Sequence, residues 1–246
     1  MTSIALLWAV NAVAVVGVGV AATHWSLVAT GSFLVVFLGY LGASFLLERV
    51  FYPSPSPRSQ PKAPDHTALT LFNLLVASVF AMLAAEGHMR GLSRMSFGPS
   101  PAPLTIALEV GLACLFENTV EYYWHRFLHT RAAYAHVHKV HHHYKSPRPF
   151  DDMYMHPVEG MAYYWVLYGP PYVFAMHMHS FCIYMALMGL FGLLDHSGIP
   201  VRIPLVYDTR DHEIHHRRVN YNYGFPFQYF DFLHGTYLAP QPPKSL

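Results

Sequence analysis

Between Gly160 and Leu194 the chain runs for 35 residues without an Asp, Glu, Lys or Arg. A stretch of that kind is not solvated along its length, and in hydrocarbon only structures that pair their own backbone groups are open to it. It is interrupted by Gly169, Pro170 and Pro171, so it reads as a helical hairpin bent at the proline pair. Three further runs have the same character: Ile4–Ala22, broken only by Asn11, the uncharged Leu27–Leu47, and Thr67–Ala85. A fourth, Leu104–Val120, is weaker because Glu109 and Glu117 interrupt it. At 1.5 Å per residue Ile4–Ala22 and Leu27–Leu47 are each long enough to cross about 30 Å of hydrocarbon, Thr67–Ala85 repeats the pattern, and Leu104–Val120 either spans or lies partly against other helices. The expected fold is all-α: an integral membrane protein with about four transmembrane helices and a helical cap. Residues 1–120 form the transmembrane region and residues 121–246 the histidine-rich region, with the hairpin 160–194 embedded in it, as one integrated domain.

Charge sharpens this reading. Only 12% of the 246 residues are charged, against about 25% in ordinary soluble domains, and the net charge of +1 leaves no basic footprint for a nucleic acid. Ten of the fifteen Lys and Arg residues lie from Arg126 onward, which places the histidine-rich half in the cytosol by the positive-inside rule. The first run lacks a basic segment before it and a small-residue cleavage site, so a retained anchor is expected rather than a signal peptide. The connector Tyr52–Asp65 holds Pro53, Pro55, Pro57, Pro61 and Pro64 and reads as an exposed loop. Gly17, Gly19 and Ala22 spell a dinucleotide-like pattern, but inside a membrane run it reads as helix packing. The chain therefore has no nicotinamide site of its own.

Fourteen of the eighteen histidines fall between His125 and His216. Cys114 and Cys182 sit in apolar stretches, which excludes a disulfide scaffold and a cysteine zinc module. Any metal must rest on imidazole. His125 and His129 stand four apart, and His138, His141 and His142 repeat the spacing of His212, His215 and His216. On a helix such residues share a face, so each triplet is expected to converge. Eight imidazoles, with His196 a ninth, exceed the four ligands of one tetrahedral zinc and imply two metal ions; imidazole alone does not name the element. Glu117 and Glu121 precede His125 at four-residue steps and, with Asp195 and Asp211, are the expected acceptors for ring N–H groups. His24, His66, His88, His177, His179 and His234 read as core or interfacial residues, and His136 and His143 fall out of phase with their box.

These boxes, with His156-Pro-Val-Glu159-Gly160, Asp195-His-Ser-Gly198, Asn222-Tyr-Gly224 and Phe230-Asp-Phe-Leu-His-Gly-Thr236, resemble the fatty acid hydroxylase superfamily, which includes sterol desaturases and methylsterol monooxygenases. The resemblance runs from about Glu121 to Thr236. It implies a non-haem centre of two iron ions, using O2 and taking electrons from NAD(P)H through a reductase and cytochrome b5, in the endoplasmic reticulum membrane. Some members carry a further histidine four residues before the position of His196; Gly192 stands there in this chain, and His156 is the candidate for a tenth ligand. Tyr164, Trp165 and Tyr168 of the hairpin are candidates to line a lipid cavity.

Three readings follow. The first is hydroxylation of an unactivated C–H bond in a sterol or related long-chain lipid. The second is desaturation at the same centre. The third, from another class, is a histidine-rich membrane metal transporter or metal-binding protein, which would carry its ligands on broken helices near the bilayer midplane, whereas these boxes sit among Lys, Arg and Tyr.

Overall fold

The computed structural model describes residues 25–52, 60–204 and 206–240. The run Ile4–Ala22, the glycine pattern within it and half of the proline-rich connector, residues 53–59, lie outside them. Among the described residues four helices are long and apolar enough to cross a membrane: α1 (Leu27–Phe51), α2 (His66–Met89), α3 (Pro103–Leu128) and, after the short α4 (Pro157–Leu167), α5 (Met178–Asp195). The weaker run at Leu104–Val120 is thus the core of the longest helix, with Pro103 at its first turn, where a missing N–H costs nothing.

Burial separates the helices. In its most apolar window α2 is 56% buried and α1 only 6%, so α2 is the central helix and α1 presents Leu34, Val35, Leu38, Phe45 and Leu46 outward. α1 packs along α2 and begins at Ser26, whose side chain accepts from the Ala29 N–H. The other face of α2, with Val76, Ala77, Ala81 and Ala84, packs on Tyr164 and Tyr168 of α4. α3 lies beside α5, joined through Ala113, Cys114, Tyr184 and Met188.

The hairpin bends where the sequence places its breakers. A side chain at Gly169 would press on the carbonyls of Trp165 and Val166 and on the Phe116 ring, so α4 ends there. Pro170–Val173 makes a single helical turn. Strand β2 (Met176–His177) then pairs in parallel with β1 (Met95–Ser96) from the loop between α2 and α3. The opposite end carries the cap: the segment from His129 to Met155, a two-residue pairing of β3 (Arg202–Ile203) with β4 (Tyr207–Asp208), helix α6 (Thr209–Arg218) and helix α7 (Tyr229–His234).

Candidate metal centre

Four pieces of chain bring histidines to the cap end. His125 lies in the last turn of α3 and His129 is its C-terminal cap. The chain then makes a π-helical turn at Tyr134–His138, in which the Lys139 N–H reaches back to the Tyr134 carbonyl (2.9 Å), and a 3-10 turn at His141–His143. His196 caps α5. His212, His215 and His216 lie on α6, whose N-cap Asp208 accepts from the Arg210 N–H.

Their ring nitrogens gather into two groups: His125, His129, His138, His142 and His215 in one, and His141, His196, His212 and His216 in the other, each within 4.8 Å. Neither triplet converges on one point. In the first box His138 and His142 serve the five-nitrogen group while His141 turns to the four-nitrogen group. In the second box His212 and His216 serve the four-nitrogen group while His215 turns to the other. The boxes interlock reciprocally: each sends its four-apart pair one way and its middle ring the other.

Nε2···Nε2 separations are 3.1 Å for His125–His138, His142–His138 and His215–His142, and 3.2 Å for His129–His215. In the second group they are 3.2 Å for His141–His196, 2.9 Å for His196–His212 and 3.1 Å for His212–His216. The other ring nitrogens decide what these contacts are. His125 Nδ1 donates to the Tyr223 carbonyl (2.8 Å), His215 Nδ1 to the Tyr221 carbonyl (2.7 Å), His216 Nδ1 to the Tyr144 carbonyl (3.0 Å) and His138 Nδ1 to Glu159 Oε1 (2.8 Å). With the N–H committed there, each neutral ring offers only a lone pair at Nε2. At His125–His138 two lone pairs therefore face each other at 3.1 Å, an arrangement that calls for a cation between them.

Six of the nine rings are held toward the neutral form. Burial first, then the neighbouring imidazoles, pushes His142 down to about 3 and holds His138, His141, His212, His215 and His216 well below the ordinary histidine value. His196 goes the other way: burial lowers it, but the Asp152 carboxylate, 3.1 Å from its Nδ1, together with the Gly192 carbonyl and Asp195 more than offsets this. Neutral imidazole is the form that binds a metal. The spacing fits as well: two nitrogens bound at about 2.1 Å and a right angle lie about 3.0 Å apart, against about 3.4 Å in a tetrahedron. The observed 2.9–3.2 Å matches the right angle.

The closing segment explains two of these tethers. Asn222 adopts a positive φ of 54°, and its side chain bonds the Asp211 and Leu238 backbones. Asp231 accepts the N–H groups of Tyr223 and Gly224 and the Thr236 hydroxyl. A side chain at Gly224 would strike the Asp231 carboxylate and the Phe227 carbonyl. Asn222 and Asp231 thus lock the loop whose carbonyls, at Tyr221 and Tyr223, accept the N–H groups of His215 and His125.

The four carboxylates expected beside the rings are elsewhere. Glu117 and Glu121 are buried on α3, where side chains lean toward the helix N-terminus and carry the Glu121 carboxyl away from His125. Asp195 takes the Tyr207 hydroxyl at 2.5 Å. Asp211 meets the Tyr237 hydroxyl and is pushed up to about 7, by burial and then by Asp208. The carboxylates that do meet ring nitrogens are Glu159 and Asp152. His156 joins neither group; its Nδ1 accepts from the Val158 N–H and caps α4. Tyr164 bonds the Asn73 carbonyl (3.1 Å), Tyr168 packs on α2, and Trp165 is 69% exposed on the outer face.

Comparison with known proteins bears on this arrangement. The sequence model of the family described as Fatty acid hydroxylase matches residues 110–236. A Delta(7)-sterol 5(6)-desaturase of Gibberella zeae is 31% identical over 168 residues, 68% of this chain and 48% of that protein. Methylsterol monooxygenase 2-2 of Arabidopsis thaliana is 29% identical over 235 residues, 87% of this chain and 88% of that one. A very-long-chain aldehyde decarbonylase of Oryza sativa is 28% identical over 246 residues, covering 91% of each. The chain spans about half the length of the sterol desaturases it matches. No solved structure matches it significantly.

Proposed function

The chain belongs to the fatty acid hydroxylase family, and from that premise we propose that it is a multi-pass membrane oxygenase that hydroxylates an unactivated C–H bond of a sterol or related long-chain lipid. The observation that carries the reading is the gathering of ring nitrogens at about 3 Å in two adjacent groups, with two Nε2 lone pairs face to face at His125–His138. His125, His129, His138, His142 and His215 would hold one iron ion and His141, His196, His212 and His216 the second. Bound there, the metals supply what no side chain has, the activation of O2 for attack on a C–H bond.

The chain's own part is positioning. Imidazole ligands, neutral when bound, leave the metal charge undiminished, and the carbonyls of Tyr144, Tyr221 and Tyr223 fix which nitrogen of each partner ring is free. Glu159 and Asp152 orient His138 and His196. Burial of eight of the nine histidines keeps bulk water off the centre. Electrons come from NAD(P)H through a reductase and cytochrome b5. The basic residues around the cap support a cytosolic face on the endoplasmic reticulum membrane, and the cap and membrane helices act as one domain, since His125 and His196 end membrane helices.

Desaturation is the second reading, favoured by the sterol desaturase relatives; both outcomes begin with the same hydrogen abstraction. The test is the purified protein with a reductase system, candidate sterols and long-chain lipids under isotopically labelled O2. An alcohol carrying the label is expected, with two metal ions per chain. A new double bond without label would assign the second reading, and one metal ion or none in active protein would overturn the two-metal centre.

A further inference from the structure

Helix α7 divides its six residues between two surroundings. Asp231 faces inward, without exposed surface, and accepts the N–H groups of Tyr223 and Gly224. Phe232 and Leu233 face outward, 64% and 71% exposed, and Leu233 is more exposed than any other large hydrophobic residue described after α3. Single apolar residues on a surface need no explanation, but these two are adjacent and continue a larger apolar face.

The neighbours of α7 identify what covers that face. The helix packs on the last two turns of α3: Tyr122 stacks on Phe230 and on His234, with ring centroids 5.2 and 5.3 Å apart, and the Tyr123 hydroxyl lies 3.1 Å from His234 Nε2. Tyr123, itself 48% exposed, belongs to the outward stripe that Leu104, Leu108, Leu112 and Leu115 form at three- and four-residue steps along α3, the side of a membrane-spanning helix that meets lipid. α3 has 26 residues, about 39 Å at 1.5 Å per residue against about 30 Å of hydrocarbon. Its final turns, with Tyr123, Trp124, Arg126 and Phe127, have the aromatic and cationic make-up of the headgroup layer. From Val219 to Pro243 the only charged residue is Asp231, whereas elsewhere on the cap Arg131, Lys139, Lys145 and Arg218 are exposed. The outward side chains of α7 offer roughly 300 Å², too little for a protein partner, which takes about 800 Å² a side. A bilayer needs no such area, because α3 already holds the chain in it.

We infer that α7 is an interfacial helix, lying in the headgroup layer at the cap end of α3 with Phe232 and Leu233 at the acyl boundary. This rests on the membrane helices and stands apart from the oxygenase reading. Through Asp231 the same helix holds the loop whose Tyr221 and Tyr223 carbonyls accept from His215 and His125. One short element thus meets the bilayer on its outer side and fixes two ring tethers on its inner side, which sets the histidine groups at the membrane surface.

The test uses the full chain in lipid nanodiscs. A fluorescent probe is attached at Leu233→Cys, at Phe232→Cys or, for comparison, at Lys145→Cys, each with Cys182→Ser so that the exposed native thiol takes no label. Iodide in the water is expected to quench the probe on α7 about fivefold less than the probe at position 145, as a side chain about 5–10 Å into the boundary requires. A nitroxide on the lipid near its headgroup should quench it more than a nitroxide at the chain end. Either α7 position serves if the other variant fails to fold. Iodide quenching equal to that at position 145 overturns the inference. So does a probe shielded from iodide and from both lipid nitroxides, which would assign the face to a protein partner. The pattern is expected with or without metal in the chain, so its failure leaves the oxygenase reading standing, and a chain that oxidises no lipid leaves the interfacial helix standing.

Discussion

The two nitrogen groups are built from the same residue and differ in how much each has to spare. The five-nitrogen group draws on α3, the first box and α6, and its His129 is only partly buried. The four-nitrogen group is wholly buried and takes one ring from the first box, two from α6 and His196 from the end of α5. The first group would hold a metal with five nitrogens and the second with four; three pieces of chain reach each, and the difference is that the end of α3 gives two rings where the end of α5 gives one.

The strongest way to break this comparison is to remove one ring from each group. His212→Ala takes the second group from four nitrogens to three and should cost the chain one of its two metals. His215→Ala takes the first from five to four and should retain a measurable part of its metal. Metal per purified chain, by elemental analysis, reads both; equal losses would show that the five-nitrogen group has no surplus.

A smaller effect separates the carboxylates. Glu159 is fully buried and is the acceptor for His138 Nδ1, whereas His196 Nδ1 lies near both Asp152 (3.1 Å) and the Gly192 carbonyl (2.9 Å). Glu159→Gln should weaken metal retention by about 10–100-fold, and Asp152→Asn by less, because the carbonyl remains. Competition with a chelator measures the two affinities, and the reverse order would remove Glu159 as the dominant support.

The smallest effect tests the tether to α1. The Tyr40 hydroxyl lies 3.0 Å from the Pro149 carbonyl and 3.1 Å from Asp152 Oδ2, linking the most exposed membrane helix to the four-nitrogen group. Tyr40→Phe should cost about 1 kcal/mol of stability, read as a lower melting temperature, with metal content in both groups retained.

The membrane helices were legible because a hydrocarbon span needs length and the absence of charge, and Leu27–Leu47 and Thr67–Ala85 have both. The nine histidines were legible as boxes, but their division was not. Helical phase puts each triplet on one face, yet on the regular helix α6, as in the irregular first box, the ring three residues on turns to the other group. The acceptors were hidden for another reason. Tyr144, Tyr221 and Tyr223 act through backbone carbonyls, which every residue has, so nothing in their side chains marks them. Glu159 was in view within His156-Pro-Val-Glu159, and only the fold reveals that it meets His138. In the hairpin, aromatic character alone did not separate Trp165, facing outward, from Tyr164, in the core.

The reciprocal wiring of the two boxes also limits how the gene can change. Adding or deleting one codon between His138 and His141, or between His212 and His215, would turn the following rings by about 100° and strip nitrogens from both groups at once. Substitutions can erode one metal position at a time, but a frame-preserving insertion within either box removes the pair together. Length variation is therefore expected in the surrounding loops and barred from these two five-residue windows.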